Sequence, residues 1–122
     1  MARILVVDDE AELRTLLRKV LIRRGHEVIE AENGAIAIAM VEKGEKLDMI
    51  ITDIFMPETD GIEVLRRLRA GHPDLKIVVM SGGGNRVSRG YLPVAASLGA
   101  DYVIEKPFDL SAVGDQIENL LK

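Results

Sequence analysis

The chain predicts a doubly wound α/β domain, with a parallel sheet covered by helices on both faces, and three observations carry that expectation. Short apolar runs alternate with helical patterns from one end of the 122 residues to the other. No Ser/Pro-rich linker divides them, and a chain of this length buries roughly two-thirds of its unfolded surface in a single core. One run, Leu47-Asp48-Met49-Ile50-Ile51-Thr52-Asp53, stops abruptly on a carboxylate and is closed by Pro57, as suits a strand buried on both faces. Strands alternating with helices imply right-handed crossovers and hence a parallel sheet.

Taken in order, Arg3 to Val7 is the first strand. Leu13, Leu16, Leu17, Val20 and Leu21 then recur at helical spacing, with Gly25 as the stop. Glu27 to Ala31 is a second strand, and Asn33 offers an N-cap for a helix carrying Ile36, Ala39, Met40 and Val41. After the central strand, Asp60 is placed to cap a helix that buries Ile62, Leu65 and Leu68 and ends near Gly71. Leu75 to Met80 and Asp101 to Ile104 are the fourth and fifth strands. Asp109 caps a last helix with Leu110, Val113, Ile117, Leu120 and Leu121 on one face, although Gly114 costs that helix about 1 kcal/mol against alanine. Between Gly82 and Gly99 the rhythm breaks: glycines favour a loop, and a short helix from Tyr91 to Leu98 would hold Pro93 in its first turn.

Composition excludes several classes of function. There is no cysteine, so disulfides, thiolate metal sites and cysteine nucleophiles are absent, and the two histidines, His26 and His72, read as surface residues. The net charge is −4, and two Phe and two Tyr are the only aromatics, so neither a basic stripe nor a stacking platform for nucleic acid is present. The first apolar run, Ile4 to Val7, is too short for a signal peptide or a membrane span, which makes a cytoplasmic location the expectation.

In doubly wound sheets ligands bind outside the carboxyl ends of the strands. Here the strands end in Asp8-Asp9-Glu10, Asp53, Ser81 and Glu105-Lys106-Pro107. Two carboxylates about 4 Å apart repel by roughly 4 kcal/mol at an effective dielectric near 20, so several in one crevice call for a cation. Mg2+ suits them, since it binds one or two carboxylates, keeps waters and shares a phosphoryl oxygen. Asp53 could then act as a nucleophile toward phosphorus, with Ser81 and Lys106 on the remaining phosphoryl oxygens. Each residue also has a simpler use. Asp53 could cap a turn, Asp8-Asp9-Glu10 could favour the positive end of the following helix, and Lys106 could be solvated. The signal is that they end different strands of one sheet. The glycines after Ser81 do not form a G-x-x-x-x-G-K-[ST] cradle, and Arg66-Arg67-Leu68-Arg69 reads as a solvated helix face.

Five ordered motifs make the pattern specific: Val6-Val7-Asp8-Asp9-Glu10, Thr52-Asp53-Ile54-Phe55-Met56-Pro57 with Asp60-Gly61, Met80-Ser81-Gly82, Gly99-Ala100-Asp101, and Lys106-Pro107-Phe108. Together they resemble the receiver domain of two-component response regulators over essentially the whole chain. The resemblance implies a flavodoxin-like sheet of order 2-1-3-4-5 flanked by five helices, with residues 1–122 as a single receiver and no output domain. It implies that Asp53 accepts a phosphoryl group from a sensor histidine kinase or a histidine phosphotransfer protein. Asp9, Asp53 and the backbone carbonyl of Phe55 would hold Mg2+, or Mn2+ in its place, with Asp8 acting through bound water. Ser81 and Lys106 would contact the phosphoryl group, and a downstream protein of unknown identity would read the result.

Two positions depart from the family. Three residues before Lys106, where receivers usually carry an aromatic, stands Val103, while Tyr102 faces the other way by strand alternation. The second departure is the glycine-rich, proline-interrupted region from Gly82 to Leu98, which is expected to carry the switch in place of an aromatic flip. The reading is a binding module that catalyses its own phosphorylation and dephosphorylation and is not a conventional enzyme. Other classes fit less well. An aspartate-nucleophile phosphatase would have a second Asp where Phe55 stands, a flavodoxin-like cofactor carrier would find its phosphate repelled by Asp8-Asp9-Glu10, and a degenerate scaffold would not keep every acidic, hydroxyl and lysine position filled.

Overall fold

The computed structural model describes residues 2–44, 46–53, 55–56, 59–81, 99–105 and 108–122, with the side chains of residues 55–56, 59–62 and 81 excepted. Five parallel strands form the main sheet: β1 (Arg3–Val7), β2 (Glu27–Ala31), β3 (Met49–Asp53), β6 (Lys76–Ser81) and β7 (Tyr102–Glu105). Their order is β2-β1-β3-β6-β7, which in chain order of these five is the expected 2-1-3-4-5. A two-stranded antiparallel ribbon, β4 (Phe55–Met56) with β5 (Thr59–Asp60), follows the central strand. Two residues per strand are too few for an alternation to register in the sequence.

Four helices lie among the described residues: α1 (Ala11–Arg23), α2 (Gly34–Glu42), α3 (Gly61–Gly71) and α4 (Leu110–Leu121). These are four of the five expected helices. The remaining one was assigned to residues 91–98, which lie outside the described residues.

The pleat of the sheet divides the core in two. Leu5, Val7, Ile50, Ile77 and Val79 face α2 and α3, where Ile38, Val41, Val64, Leu65 and Leu68 meet them. Ile4, Val6, Met49, Ile51, Val78, Met80 and Ile104 face α1 and α4, against Leu17, Leu21, Val113 and Ile117. Alternate residues of each strand therefore serve opposite cores, and every residue of β3 is buried.

Helix ends follow side-chain chemistry. Asn33 accepts the Ile36 N–H at 2.9 Å, and Asp109 accepts the N–H groups of Ser111 and Ala112 at 2.8 and 3.3 Å. At the end of α1, Gly25 has φ +90°; its N–H donates to the Ile22 carbonyl at 3.0 Å and the His26 N–H to that of Leu21 at 3.1 Å. This paired closure needs a left-handed residue, so glycine is required there.

Two expected helix faces differ. On α2 the buried residues are Gly34, Ala37, Ile38 and Val41, while Ala39 is exposed. That helix is apolar nearly all round, so its periodicity does not select a face. On α1, Leu17 and Leu21 are buried but Leu16 is 46% exposed, one helical step outside the stripe. The fourth and fifth strands of the sheet each sit one residue later than expected, which carries Ser81 and Glu105 into the ladder as partners.

Candidate functional site

β1 and β3 are neighbours, and Val7 pairs with Thr52, so the residues that follow leave the sheet side by side. Asp8 is fully buried, Asp53 is 5% exposed, and Asp9 is exposed. One carboxylate oxygen from each of the three lies within 4.8 Å of the others. Among the described residues no other group of His, Cys, Asp or Glu side chains converges in this way.

The loop that presents Asp8 and Asp9 is tied down locally. The Asp8 N–H donates to the Ala31 carbonyl at 3.2 Å, and its carboxylate accepts the Glu10 N–H at 2.8 Å. Glu10 occupies the N-cap position of α1 and makes no side-chain cap bond there. Beneath Asp53, the fully buried Thr52 hydroxyl donates to the Asp53 carbonyl at 3.1 Å.

Three like charges in and beside a buried crevice repel one another strongly. The donor set is all carboxylate oxygen, which suits a hard divalent ion. Ligands on opposite sides of one Mg2+ sit about 4.2 Å apart, twice its bond length, so a spread of 4.8 Å needs only a small contraction.

The backbone places Ser81 at the carboxyl end of β6, one residue beyond Met80, the partner of Asp53. Ser81 itself pairs with Glu105, the last residue of β7. The Ser81 side chain and Lys106 lie outside the described residues, as do Gly82 to Leu98, where the switch is expected. Phe55 opens β4 two residues after Asp53, but only its backbone is described. On β7, Tyr102 packs with Ile104 on the side of α1 and α4, and Val103, paired with Val79, alternates to the opposite face. The expected opposition of Tyr102 and Val103 is present.

Residues 4–118 match the family model described as response regulator receiver domain. The chain belongs to that family. Its sequence is 38% identical over 120 residues to the DNA-binding transcriptional regulator NtrC of Azospirillum brasilense, matching 98% of this chain but 24% of that protein. The receiver thus spans about a quarter of that relative's length. It is 36% identical to the response regulator receiver protein CpdR of Brucella abortus, over 99% of this chain and 98% of CpdR. Among solved structures, the response regulator protein TrrA of Thermotoga maritima, in complex with Mg(2+)-BeF, superposes with a TM-score of 0.84 at 34% identity, covering 98% of the receiver and 99% of TrrA. The molecule is accordingly a receiver of two-component response regulators, a module of phosphorylation-controlled signalling.

Sequence reasoning missed two groups in this receiver. Arg14, on the first turns of α1, donates from one guanidinium nitrogen to the Asp8 carbonyl and from Nε to Glu30 on β2 at 3.1 Å. Its partners are a backbone carbonyl and a side chain on another strand, neither of which leaves a spacing signal. His26, expected at the surface, has a side chain only 6% exposed. Its Nδ1 accepts the Ala2 N–H at 3.0 Å, and Nε2 bonds Glu118 on α4. His72 is exposed as expected.

Proposed function

We propose that this receiver takes a phosphoryl group onto Asp53 from the phosphohistidine of a sensor kinase or histidine phosphotransfer protein, and that the modified surface is read by a downstream protein. The observation that supports the reading is the convergence of Asp8, Asp9 and Asp53, with two of the three carboxylates buried, at the carboxyl end of the central strand. In the transfer, a carboxylate oxygen of Asp53 forms a bond to phosphorus as the bond from phosphorus to the imidazole nitrogen breaks, and the electron pair stays on the ring nitrogen. The backbone of Thr52 and Asp53 is fixed in the sheet, which limits the motion of the Asp53 carboxylate.

Asp9, Asp53 and the carbonyl of Phe55 would hold Mg2+, with Asp8 nearby through water, and the bound ion would offset negative charge on the phosphoryl oxygens. Ser81, at the end of the adjacent strand, and Lys106, the residue following β7, are the groups we assign to the phosphoryl oxygens. Hydrolysis of the aspartyl phosphate by water would return the receiver to its starting state, so the chain modifies itself and turns over no outside substrate. No described helix is long and apolar enough to cross a membrane, and we assign the receiver to the cytoplasm, with protein partners and no direct contact with nucleic acid.

Incubation with Mg2+ and acetyl phosphate tests the assignment. The expected product is an acid-stable, hydroxylamine-labile adduct on Asp53, absent without Mg2+ and absent in Asp53→Asn. No adduct in the wild type, or the same adduct in Asp53→Asn, overturns it.

A further inference from the structure

The cation site proposed above depends on where the loop after β1 holds Asp8 and Asp9. Three contacts fix that loop. The Asp8 N–H bonds the carbonyl of Ala31 at 3.2 Å, the Asp8 carboxylate takes the Glu10 N–H at 2.8 Å, and Arg14 donates to the Asp8 carbonyl. Arg14 is at the same time bonded to Glu30 at 3.1 Å, and its side chain is only 16% exposed. Glu30 and Ala31 are consecutive residues of β2. Two parallel ties therefore run from the acidic loop to the end of one strand, one through backbone and one through a guanidinium.

The guanidinium suits this task by geometry. Its planar fork reaches a carbonyl and a carboxylate at once in fixed directions, which an ammonium cannot reproduce. Glu30, which also lies 4.0 Å from Arg18, is the counter-charge that holds the guanidinium of Arg14 in place. We infer that Arg14, held by Glu30, is a positioning residue that sets the Asp8-Asp9 loop for cation binding. The inference rests on the cation reading of the acidic site. It goes beyond that reading by assigning the site's alignment to a residue that contributes no ligand.

Electrostatics and positioning make opposite forecasts for one substitution. Arg14→Met removes a positive charge from beside a cluster of carboxylates, which by charge alone strengthens binding of a divalent cation. Loss of the tie weakens binding instead, by about tenfold as for other groups that orient metal ligands. Arg14→Lys keeps the charge and loses the fork, so charge alone leaves affinity unchanged whereas positioning lowers it.

The experiment is a Mg2+ titration of the whole chain, followed by the amide NMR signals of Asp9 and Asp53, with dispersed spectra as the measure of folding. Arg24→Met is the control: Arg24 lies at the far end of α1 and bonds the Ser111 carbonyl and Asp115, away from the acidic loop. The expected result is weaker Mg2+ binding in both Arg14 variants, by about tenfold in Arg14→Met, and wild-type affinity in Arg24→Met. Unchanged or tighter binding in Arg14→Lys or in a folded Arg14→Met overturns the inference while leaving the cation site standing. Equal loss in Arg24→Met also overturns it, because the effect is then general loosening of the helix. Should Arg14→Met fail to fold, Arg14→Lys decides. A wild type that does not respond to Mg2+ refutes the cation reading itself.

Discussion

The two ends of the sheet treat charge in opposite ways. At the carboxyl ends of the strands, Asp8, Asp9 and Asp53 bring like charges within 4.8 Å, two of them buried. At the amino ends, charges of opposite sign are paired across elements, Arg3 with Glu27 at 3.0 Å and Arg24 with Asp115 at 2.9 Å, and the His26 ring is hydrogen-bonded to Glu118. There the Arg3 N–H also bonds the Asp48 carboxylate at 2.8 Å, and the His26 ring holds the Ala2 N–H. One end holds the fold together, and the other carries a repulsion that a bound cation can relieve. Removing a polar group should therefore have opposite consequences at the two ends.

The largest effect is expected at Asp53. In Asp53→Asn the aspartyl adduct is lost entirely, and relief of repulsion should raise metal-free stability by about 1–3 kcal/mol, less than the roughly 4 kcal/mol of a bare pair at 4 Å. Urea denaturation in the presence of a chelator measures this. Adding Mg2+ should raise the melting temperature of the wild type by mass action and leave the variant nearly unmoved. A variant less stable than the metal-free wild type would remove the contrast between the two ends.

The opposite sign is expected at His26. His26→Ala removes the acceptor for the Ala2 N–H and the partner of Glu118, both within a poorly exposed contact between β1, the α1–β2 turn and α4. The expected cost is about 2 kcal/mol by urea denaturation, with no change in Mg2+ affinity, because a hydrogen bond lost at a buried group leaves its partner desolvated. A variant as stable as the wild type would show that this end is held by packing alone.

These two ends also differ in how far they could be read from sequence. Asp53 stands out because an apolar run stops on it, and Asp8-Asp9 because they follow the first such run; both are local patterns of burial and charge. The strand order follows from the family resemblance, and the structure has it. His26 left no such mark, because its partner Glu118 is 92 positions away and only the folded sheet brings them together. Arg14 is hidden for a similar reason, its main partner being a carbonyl, which every residue carries.

Gly99-Ala100-Asp101, legible only as a family motif, acquires a physical cause from Arg69. The guanidinium of Arg69 bonds the Gly99 carbonyl at 2.6 Å and the Asp101 carboxylate at 2.9 Å, while Asp101 also accepts the Ile77 N–H at 2.8 Å. Gly99 has φ +106°, and a Cβ there would lie 3.0 Å from Arg69 Nε, so both the backbone and the arginine call for glycine.

The smallest expected effect concerns Gly114, where sequence and structure lead to different forecasts. Helix propensity alone predicts that Gly114→Ala stabilises α4 by about 1 kcal/mol. In the fold, however, a Cβ at Gly114 would lie 2.6 Å from Arg24 Nε and 2.8 Å from its Cζ. Glycine there makes room for the guanidinium that bonds Asp115 at 2.9 Å and the Ser111 carbonyl at 3.3 Å, joining the end of α1 to α4. Arginine is flexible, so Gly114→Ala displaces it without disrupting the core, and the lost contacts should cancel most of the propensity gain. Net stability in the single variant is expected to change by less than about 0.5 kcal/mol. With Arg24 already replaced by alanine the clash is gone, and Gly114→Ala should then yield the full gain of about 1 kcal/mol. A double-mutant cycle by urea denaturation separates the two terms. Equal gains in both backgrounds would mean that Gly114 and Arg24 are not coupled, and that the guanidinium keeps its bonds to Asp115 and the Ser111 carbonyl when a Cβ is added.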